Sequence, residues 1–113
     1  MFDASTIELS TAALRNNIAF IRQALAPGTR LCTVVKGNAY GHGIGTFTGL
    51  ARRLGAEHFA VYSAAEAYQL QKNLAQGVAI YIMGDVDGPA LEWAVEHGAA
   101  FNIFEQDRLS QAI

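Results

Sequence analysis

The sequence predicts an α/β fold in which strands and helices alternate to form a parallel sheet of about four strands. Apolar, strand-like runs begin near positions 30, 58, 78 and 99, at intervals of roughly 20 to 28 residues. A segment with helical spacing or helix caps follows each run. The first run, LCTVV, is almost continuously apolar, which is typical of a strand buried on both faces of a parallel sheet. Crossovers between such strands are almost always right-handed.

A helix is predicted ahead of the first of these strands. Residues 5–9 alternate weakly and predict a short strand before it. Ser10 or Thr11 is the expected N-cap, and Pro27 and Gly28 break the helix. The helix carries one apolar stripe at spacings of four, three and four residues. The stripe consists of Leu14, Ile18, Ile21 and Leu25.

Glycines and a capping box delimit the next two helices. Residues 44–54 carry leucines at a helical spacing, and Gly55 follows them as a helix stop. After the strand HFAVYS, Ser63 is the expected N-cap and Glu66 supplies the other half of a capping box. The helix AAEAYQLQKNLAQ is predicted to end at Gly77.

The last two units follow the same plan. The strand VAIYIM leads into the turn GDVDG, and Pro89 suits the first turn of the helix PALEWAVEH, which Gly98 ends. The strand AAFNIF and the start of a helix, EQDRLSQAI, complete the chain. Two architectures fit these units: a doubly wound open sheet, or about half of a (β/α)8 barrel, which needs roughly 250 residues.

The composition excludes several function classes. The chain has 113 residues, of which 51% are hydrophobic and 16% charged, against an ordinary charged share of roughly a quarter. That is apolar for a small free-standing domain, so we expect a chain that oligomerises or belongs to something larger. The net charge is −2, and Arg52-Arg53 is the densest basic spot, so nucleic acid is not an expected partner.

The sequence also argues against export and membrane insertion. No apolar run approaches the roughly 20 residues of a membrane span. The start, MFDASTIELS, lacks the basic and apolar segments of a signal peptide, so we expect a cytoplasmic protein. Cys32 has no second cysteine to pair with and is expected to be a small buried hydrophobe.

Lys36 stands out in the stretch VVKGNAYGHG, residues 34–43. It follows the first strand, and parallel α/β folds place their chemistry at the carboxyl ends of strands. Apolar neighbours disfavour an ammonium ion, and Schiff-base chemistry needs the neutral amine. The competing interpretation is a lysine that marks where a buried strand enters solvent.

The residues after Lys36 also permit two interpretations. Four glycines in this segment allow a close approach to a ligand or positive φ angles, but they also suit an ordinary tight loop. They are Gly37, Gly41, Gly43 and Gly45. Tyr40 follows Lys36 at a distance of four residues and is expected to face the same pocket. His42 is a candidate acid, base or structural residue. No metal-ligand motif is present, so we expect no metal site.

The stretch VVKGNAYGHG closely resembles the cofactor-attachment motif of the alanine racemases, whose usual run is V-V-K-A-N-A-Y-G-H-G. The resemblance continues in IELSTAALRNNI, SAAEAYQLQKN and IYIMGDVD, and so covers essentially the whole chain. It implies that residues 1–113 are part of a pyridoxal 5'-phosphate-binding barrel, resembling the N-terminal half of a (β/α)8 TIM barrel. It also implies a racemase that interconverts L-alanine and D-alanine, and a homodimer.

The resemblance assigns roles to individual residues. Lys36 matches the lysine that binds pyridoxal 5'-phosphate covalently and exchanges the α-proton on one face of the amino acid. Tyr40 and Met83 match residues that line the cofactor pocket. The motif positions that shape the loop match Asn38, Gly41, His42 and Gly43. Gly37 departs from the family, which usually has alanine there, and it implies a looser backbone beside Lys36.

Length is the larger departure from the family. The family's later barrel strands, its C-terminal β domain and its opposing tyrosine base have no counterpart in these 113 residues. Three interpretations follow. The chain is the N-terminal portion of an alanine racemase and inactive alone, or a self-associating half-barrel without racemase activity. The third is a parent racemase that acts on serine or several amino acids, for which Gly37 is the only hint.

Overall fold

The computed structural model describes residues 4–74 and 77–113. Helices and strands alternate along the chain after the first helix, as the sequence predicts. In chain order the elements are α1 (Thr11–Ala24), β1 (Cys32–Val34), α2 (Lys36–Tyr40), α3 (Ile44–Arg53), β2 (His58–Val61), α4 (Ala64–Asn73), β3 (Ala79–Ile82), α5 (Gly88–Glu96), β4 (Ala100–Phe101) and α6 (Gln106–Ala112). The predicted strand starts are therefore confirmed to within two residues.

The four strands form one parallel sheet in the order β1-β2-β3-β4. Val34 pairs with Ala60, which in turn pairs with Tyr81, and Tyr81 pairs with Ala100. Each strand therefore lies beside its neighbour in sequence. A doubly wound sheet reverses its strand order at a switch point, whereas a (β/α)8 barrel adds each strand on the same side of the last one. The order found here is the barrel order, which decides between the two predicted architectures.

Helices cover one face of the sheet and form the core with it. Every second strand residue points to that face, and Phe59, Val61 and Ile82 are completely buried there. They pack with buried helix residues such as Ala67 and Leu70 of α4. Successive helices from α3 to α6 contact one another, which places them in one layer outside the sheet.

The opposite face of the sheet is open at β1, so the prediction of burial on both faces is wrong. Cys32 is exposed and Val34 is 38% exposed. Both side chains alternate with Thr33, which faces the helices, and no described helix packs on their side. The prediction of a buried cysteine fails for the same reason: in a parallel barrel strand the second face is covered by other strands of the barrel.

The predicted helix caps are largely confirmed. The Ser10 hydroxyl accepts a hydrogen bond from the Ala13 N–H at 3.1 Å. Ser63 and Glu66 form both halves of the capping box, and a proline lies in the first turn of α5. Helix α4 ends at Asn73, earlier than predicted, because Leu74 turns extended with φ −113°. The predicted continuation to residues 75 and 76 lies outside the described residues.

One prediction about the beginning of the chain is wrong. Residues 5–9 form no strand in the described structure, because no neighbouring strand pairs with them. Only Ile18 of the apolar stripe on α1 is buried, and Ile21 is 42% exposed. Helix α1 lies at the end of the layer, where Arg22 donates a 2.7 Å hydrogen bond to the Gly55 carbonyl. Within the described residues, no helix has the length and apolar content that crossing a membrane requires.

Candidate active site

Lys36 lies at the carboxyl edge of the sheet, two residues beyond the last residue of β1. The Val35 N–H donates to the Ala60 carbonyl at 2.8 Å, so the pairing with β2 continues up to the lysine. The Lys36 side chain is half-buried. Within residues 4–74 and 77–113 it takes part in no ion pair. A lysine that is not committed to a described carboxylate remains available to react.

The strand register brings Lys36, Tyr62 and Met83 into one row. Val34, Ala60 and Tyr81 are paired across the three strands, and each of the three site residues lies two positions after one of them. Because side chains alternate between the faces of a sheet, residues two positions apart point to the same face, which here is the face that is open at β1. The ladder reaches this row, since the Met83 N–H donates to the Val61 carbonyl at 2.8 Å. Neighbouring strands lie about 4.8 Å apart, so the backbones at Lys36 and Met83 are separated by roughly 10 Å. That is the span of a small ligand.

Tyr62 is a candidate site residue that the sequence analysis missed. Its side chain is 61% exposed, and its ring lies over Gly84. A Cβ atom at Gly84 would approach the Tyr62 carbonyl oxygen to 2.5 Å, so only glycine fits there. The sequence signal is limited to the alternation along HFAVYS, which places Tyr62 on the face opposite Val61.

The short element α2 is not a right-handed α-helix, because a left-handed turn follows Lys36. Gly37, Asn38, Ala39 and Tyr40 have φ angles of 61°, 55°, 55° and 54°. For residues other than glycine this conformation costs roughly 1–2 kcal/mol each, and such strain persists only where the surroundings enforce it. The sequence predicted positive φ for the glycines alone. Three consecutive strained residues beside a candidate catalytic lysine are typical of a functional site.

Hydrogen bonds hold this turn in place from both ends. The Ala39 N–H donates to the Val35 carbonyl at 2.9 Å. Asn38 shapes the exit, because its side-chain oxygen accepts from the Ile44 N–H at 2.9 Å and its carbonyl accepts from the Gly43 N–H at 3.0 Å. The entry into α3 is therefore fixed relative to the lysine.

Glu66 links the turn to the start of α4. One carboxylate oxygen accepts from the Gly37 N–H at 2.8 Å. The other accepts from Tyr62 at 2.7 Å and Ser63 at 3.2 Å. The sequence predicted the bond to Ser63, which is part of the capping box. The bond across to Gly37 spans 29 residues of sequence and has no local signal that predicts it.

The other predicted site residues lie around the same edge. Tyr40 is at the end of the left-handed turn, and its side chain is 64% exposed. Met83 is half-buried, and its carbonyl accepts a 3.3 Å hydrogen bond from Asn102. His42 is exposed and stacks on Phe47 with ring centroids 6.2 Å apart, so its observed contact is a packing contact.

Two further properties of the site region concern metal binding and the Cys32 thiol. Among the described residues no group of three His, Cys, Asp or Glu side chains is arranged to hold a metal ion. Partial burial raises the pKa of the Cys32 thiol from its ordinary value of 9.0. That residue lies at the start of β1, at the opposite end of the strand from Lys36.

The alanine racemase family model, described as "Alanine racemase, N-terminal domain", matches residues 9–113. The chain belongs to this family. A curated alanine racemase from Geobacillus kaustophilus is 34% identical over 108 residues, which are 94% of this chain and 27% of that protein. One from Leptospira interrogans is 38% identical over 86 residues, which are 76% of this chain and 22% of that protein.

Solved alanine racemase structures have the same fold. The enzyme from E. faecalis superposes with a TM-score of 0.79 at 31% identity, covering 90% of this chain and 27% of that one. The enzyme from Bartonella henselae, whose structure has covalently bound pyridoxal phosphate, superposes with a TM-score of 0.76 at 26% identity, covering 89% and 28%. The chain thus spans about a quarter of the length of the relatives it matches, and its four βα units are of the TIM-barrel type found in this family.

Proposed function

We propose that residues 1–113 supply the first four units of a pyridoxal 5'-phosphate-binding barrel domain in a racemase that interconverts L-alanine and D-alanine. The observation that carries this proposal is the position of Lys36. It is a half-buried lysine at the carboxyl edge of a parallel sheet, in no ion pair with any residue that the structure describes, and a strained turn follows it. Membership of the alanine racemase family supports the same reaction.

The residues at this edge fit the cofactor. Lys36 would hold it covalently through Nζ, Tyr40 would offer an exposed phenol to it, and Met83 would present an apolar side chain. Space is open beside the lysine, since a Cβ atom at Gly37 would meet nothing within 4 Å. When bound, pyridoxal phosphate supplies an electron sink that stabilises negative charge on the α-carbon of the amino acid.

Lys36 also has a role in proton transfer in this proposal. Its amine would take and return the α-proton on one face of the substrate, since a positioned amine of suitable basicity is an effective general base. Racemisation needs a second base on the opposite face. By resemblance to the family this base is a tyrosine outside residues 1–113, contributed by the second subunit of a homodimer. The proposed enzyme is therefore a dimer.

A chimera tests the proposal directly. Residues 9–113 would replace the matching segment of the Geobacillus kaustophilus alanine racemase. We expect the chimera to racemise alanine and to lose this activity with Lys36→Ala, while Lys72→Ala leaves it unchanged. A folded chimera that is inactive, or one that remains active with Lys36→Ala, would refute the proposed role. Assays on L-serine in parallel test the broader substrate range for which Gly37 is the hint.

A self-associating half-barrel without racemase activity is the second candidate. The open side of β1 and the unpaired outer edges of β1 and β4 favour it, because exposed strand edges invite pairing with another copy. Sedimentation of the purified chain separates the two. A discrete dimer supports self-completion, whereas a monomer or heterogeneous aggregates support a domain that other parts of a longer protein complete.

A further inference from the structure

The Glu66 carboxylate makes more contacts than its place in a capping box requires. A capping box needs the Ser63 hydroxyl to accept from the Glu66 N–H, here at 3.3 Å, and the Glu66 carboxylate to accept from the Ser63 N–H. Glu66 Oε2 makes that bond and a further one to the Tyr62 N–H at 2.7 Å. The capping box does not use Glu66 Oε1. This atom accepts a hydrogen bond from the Gly37 N–H, in the neighbouring βα loop, at 2.8 Å.

The Gly37 N–H belongs to the peptide unit that starts at the Lys36 carbonyl. Because a peptide unit is planar, a bond that fixes its N–H also fixes the direction in which the chain leaves Lys36. The direction matters here, since the next residues enter a left-handed turn with three strained positions. A charge-assisted hydrogen bond at the entry, roughly twice as strong as a neutral one, favours this turn over the ordinary backbone conformations.

The same carboxylate holds the two other backbone positions beside the lysine. Tyr62 is the neighbour of Lys36 in the row at the sheet edge, and its N–H is one of the three donors. Glu66 is half-buried, but its bonds to the Gly37 and Tyr62 N–H groups are solvent-exposed. One side chain therefore sets the relative positions of the β1 and β2 ends.

We propose that Glu66 is a positioning residue for Lys36: it holds the Lys36–Gly37 peptide and the end of β2 so that the lysine amine is presented for covalent attachment. Glu66 has no reacting role in this proposal. The inference rests on the proposed function, in which Lys36 binds pyridoxal 5'-phosphate.

The chain contains its own reference for a test, because Lys36 and Lys72 are its two lysines. Lys72 lies on α4, with its Nζ 4.5 Å from the centroid of the Tyr68 ring. The 113-residue chain would be treated briefly with pyridoxal 5'-phosphate and borohydride. The aldehyde condenses with an amine with loss of water, and borohydride delivers hydride to the resulting imine, which takes a proton from water and becomes a stable secondary amine. Peptide mapping then gives the ratio of Lys36 to Lys72 labelling. Amide hydrogen exchange at Gly37 is measured on the same proteins without cofactor.

Two variants remove the contact and one controls for the helix cap. Glu66→Ala removes both acceptor oxygens, and Glu66→Leu does so while keeping side-chain volume and helix propensity. Ser63→Ala removes the reciprocal half of the capping box but leaves the Gly37 contact. We expect both Glu66 variants to accelerate Gly37 exchange and to lower the labelling ratio roughly tenfold, the range of a lost hydrogen bond to a charged group. Ser63→Ala should leave both close to the wild-type values.

The outcomes separate this inference from the function on which it rests. A wild-type chain that labels Lys36 no faster than Lys72 contradicts the proposed function and the inference together. A wild-type preference for Lys36 that survives in the Glu66 variants, despite faster exchange at Gly37, contradicts the positioning role alone. An equal loss of preference in Ser63→Ala would show that Glu66 acts only as a helix cap.

Discussion

At the scale of single residues, the backbone conformation of Gly37 changes the interpretation of this departure from the family pattern. The sequence suggested that glycine in place of the usual alanine loosens the chain beside Lys36. In the structure Gly37 has a φ of 61° and is the first position of a left-handed turn. Glycine adopts this conformation without steric cost, so it lowers the strain at the entry of the turn.

Substitution of Gly37 by alanine should therefore destabilise the chain by about 1 kcal/mol. The cost comes from the backbone alone, because a Cβ atom at this position meets nothing within 4 Å. Gly49 is a matched control: it also has open space, but it lies inside α3. Gly49→Ala should stabilise by roughly 0.5–1 kcal/mol. Urea unfolding of the two variants checks this, and equal effects of the same sign would contradict the left-handed geometry.

The reactivity of the Cys32 thiol is expected to depend on pH differently in the folded and the unfolded chain. Partial burial disfavours its thiolate and raises its pKa above the ordinary 9.0. At any pH below that pKa the folded chain therefore contains less thiolate than the unfolded chain, and the thiolate is the species that reacts. We expect the pH–rate profile of iodoacetamide alkylation to rise at higher pH in the native chain than in urea. Coincident profiles would contradict the assignment.

At the scale of elements, the sequence predicts what is local and misses what depends on distant neighbours. The strand starts and the Ser63–Glu66 box follow from apolar runs and short spacings, and both are confirmed. Burial of β1 on both faces and a strand at residues 5–9 were wrong, because each depends on partners that the described chain does not contain. Asn38 is of a residue type enriched at positive φ, but Ala39 and Tyr40 have no propensity that predicts the left-handed turn.

The candidate site likewise contains features that the local sequence predicts and features that depend on distant neighbours. Lys36 was found because strand order and apolar context locate the carboxyl end of β1, and the family motif singled it out. The contact between Glu66 and Gly37 joins two βα units. It becomes visible only when the register between β1 and β2 is known. Tyr62 was overlooked because an aromatic residue at a strand end reads as an ordinary strand residue.

The close approach of β2 and β3 at this edge makes a prediction for Gly84. Gly84→Ala would place a Cβ atom 2.5 Å from the Tyr62 carbonyl oxygen, so the strands must separate locally at a cost of roughly 1–3 kcal/mol. Gly45 is the comparison, since a Cβ atom there meets only the Asn73 side chain, at 3.3 Å. Gly45→Ala should be nearly neutral in thermal unfolding, and a neutral Gly84→Ala would contradict the close contact between Gly84 and Tyr62.

At the scale of the whole molecule, one sheet face covered by helices and an opposite face that is open at β1 describe a barrel segment. The helix layer on one side is complete enough to bury Phe59, Leu70 and Ile82 fully. On the other side, Cys32 and Val34 remain accessible at β1. In a closed barrel this face is filled by layers of side chains from all eight strands.

The purified 113-residue chain should accordingly show no more than trace racemisation of alanine. Exchange of the α-proton on both faces needs a second base opposite Lys36, and by resemblance that base lies outside residues 1–113. A coupled assay with D-alanine detection measures the rate, with Lys36→Ala as the background. Robust turnover that Lys36→Ala abolishes would show that these residues form a complete active site.

The central claim is that Lys36 is a distinct, activated lysine in this chain, and its stoichiometric labelling tests this most directly. The chain would be titrated with pyridoxal 5'-phosphate to saturation, reduced with borohydride and mapped by mass spectrometry. We predict one adduct per chain at Lys36, which Lys36→Ala abolishes and Lys72→Arg does not change. Labelling spread evenly over Lys36, Lys72 and the N-terminal amine would contradict the claim, because the lysine would then be no more reactive than any surface amine.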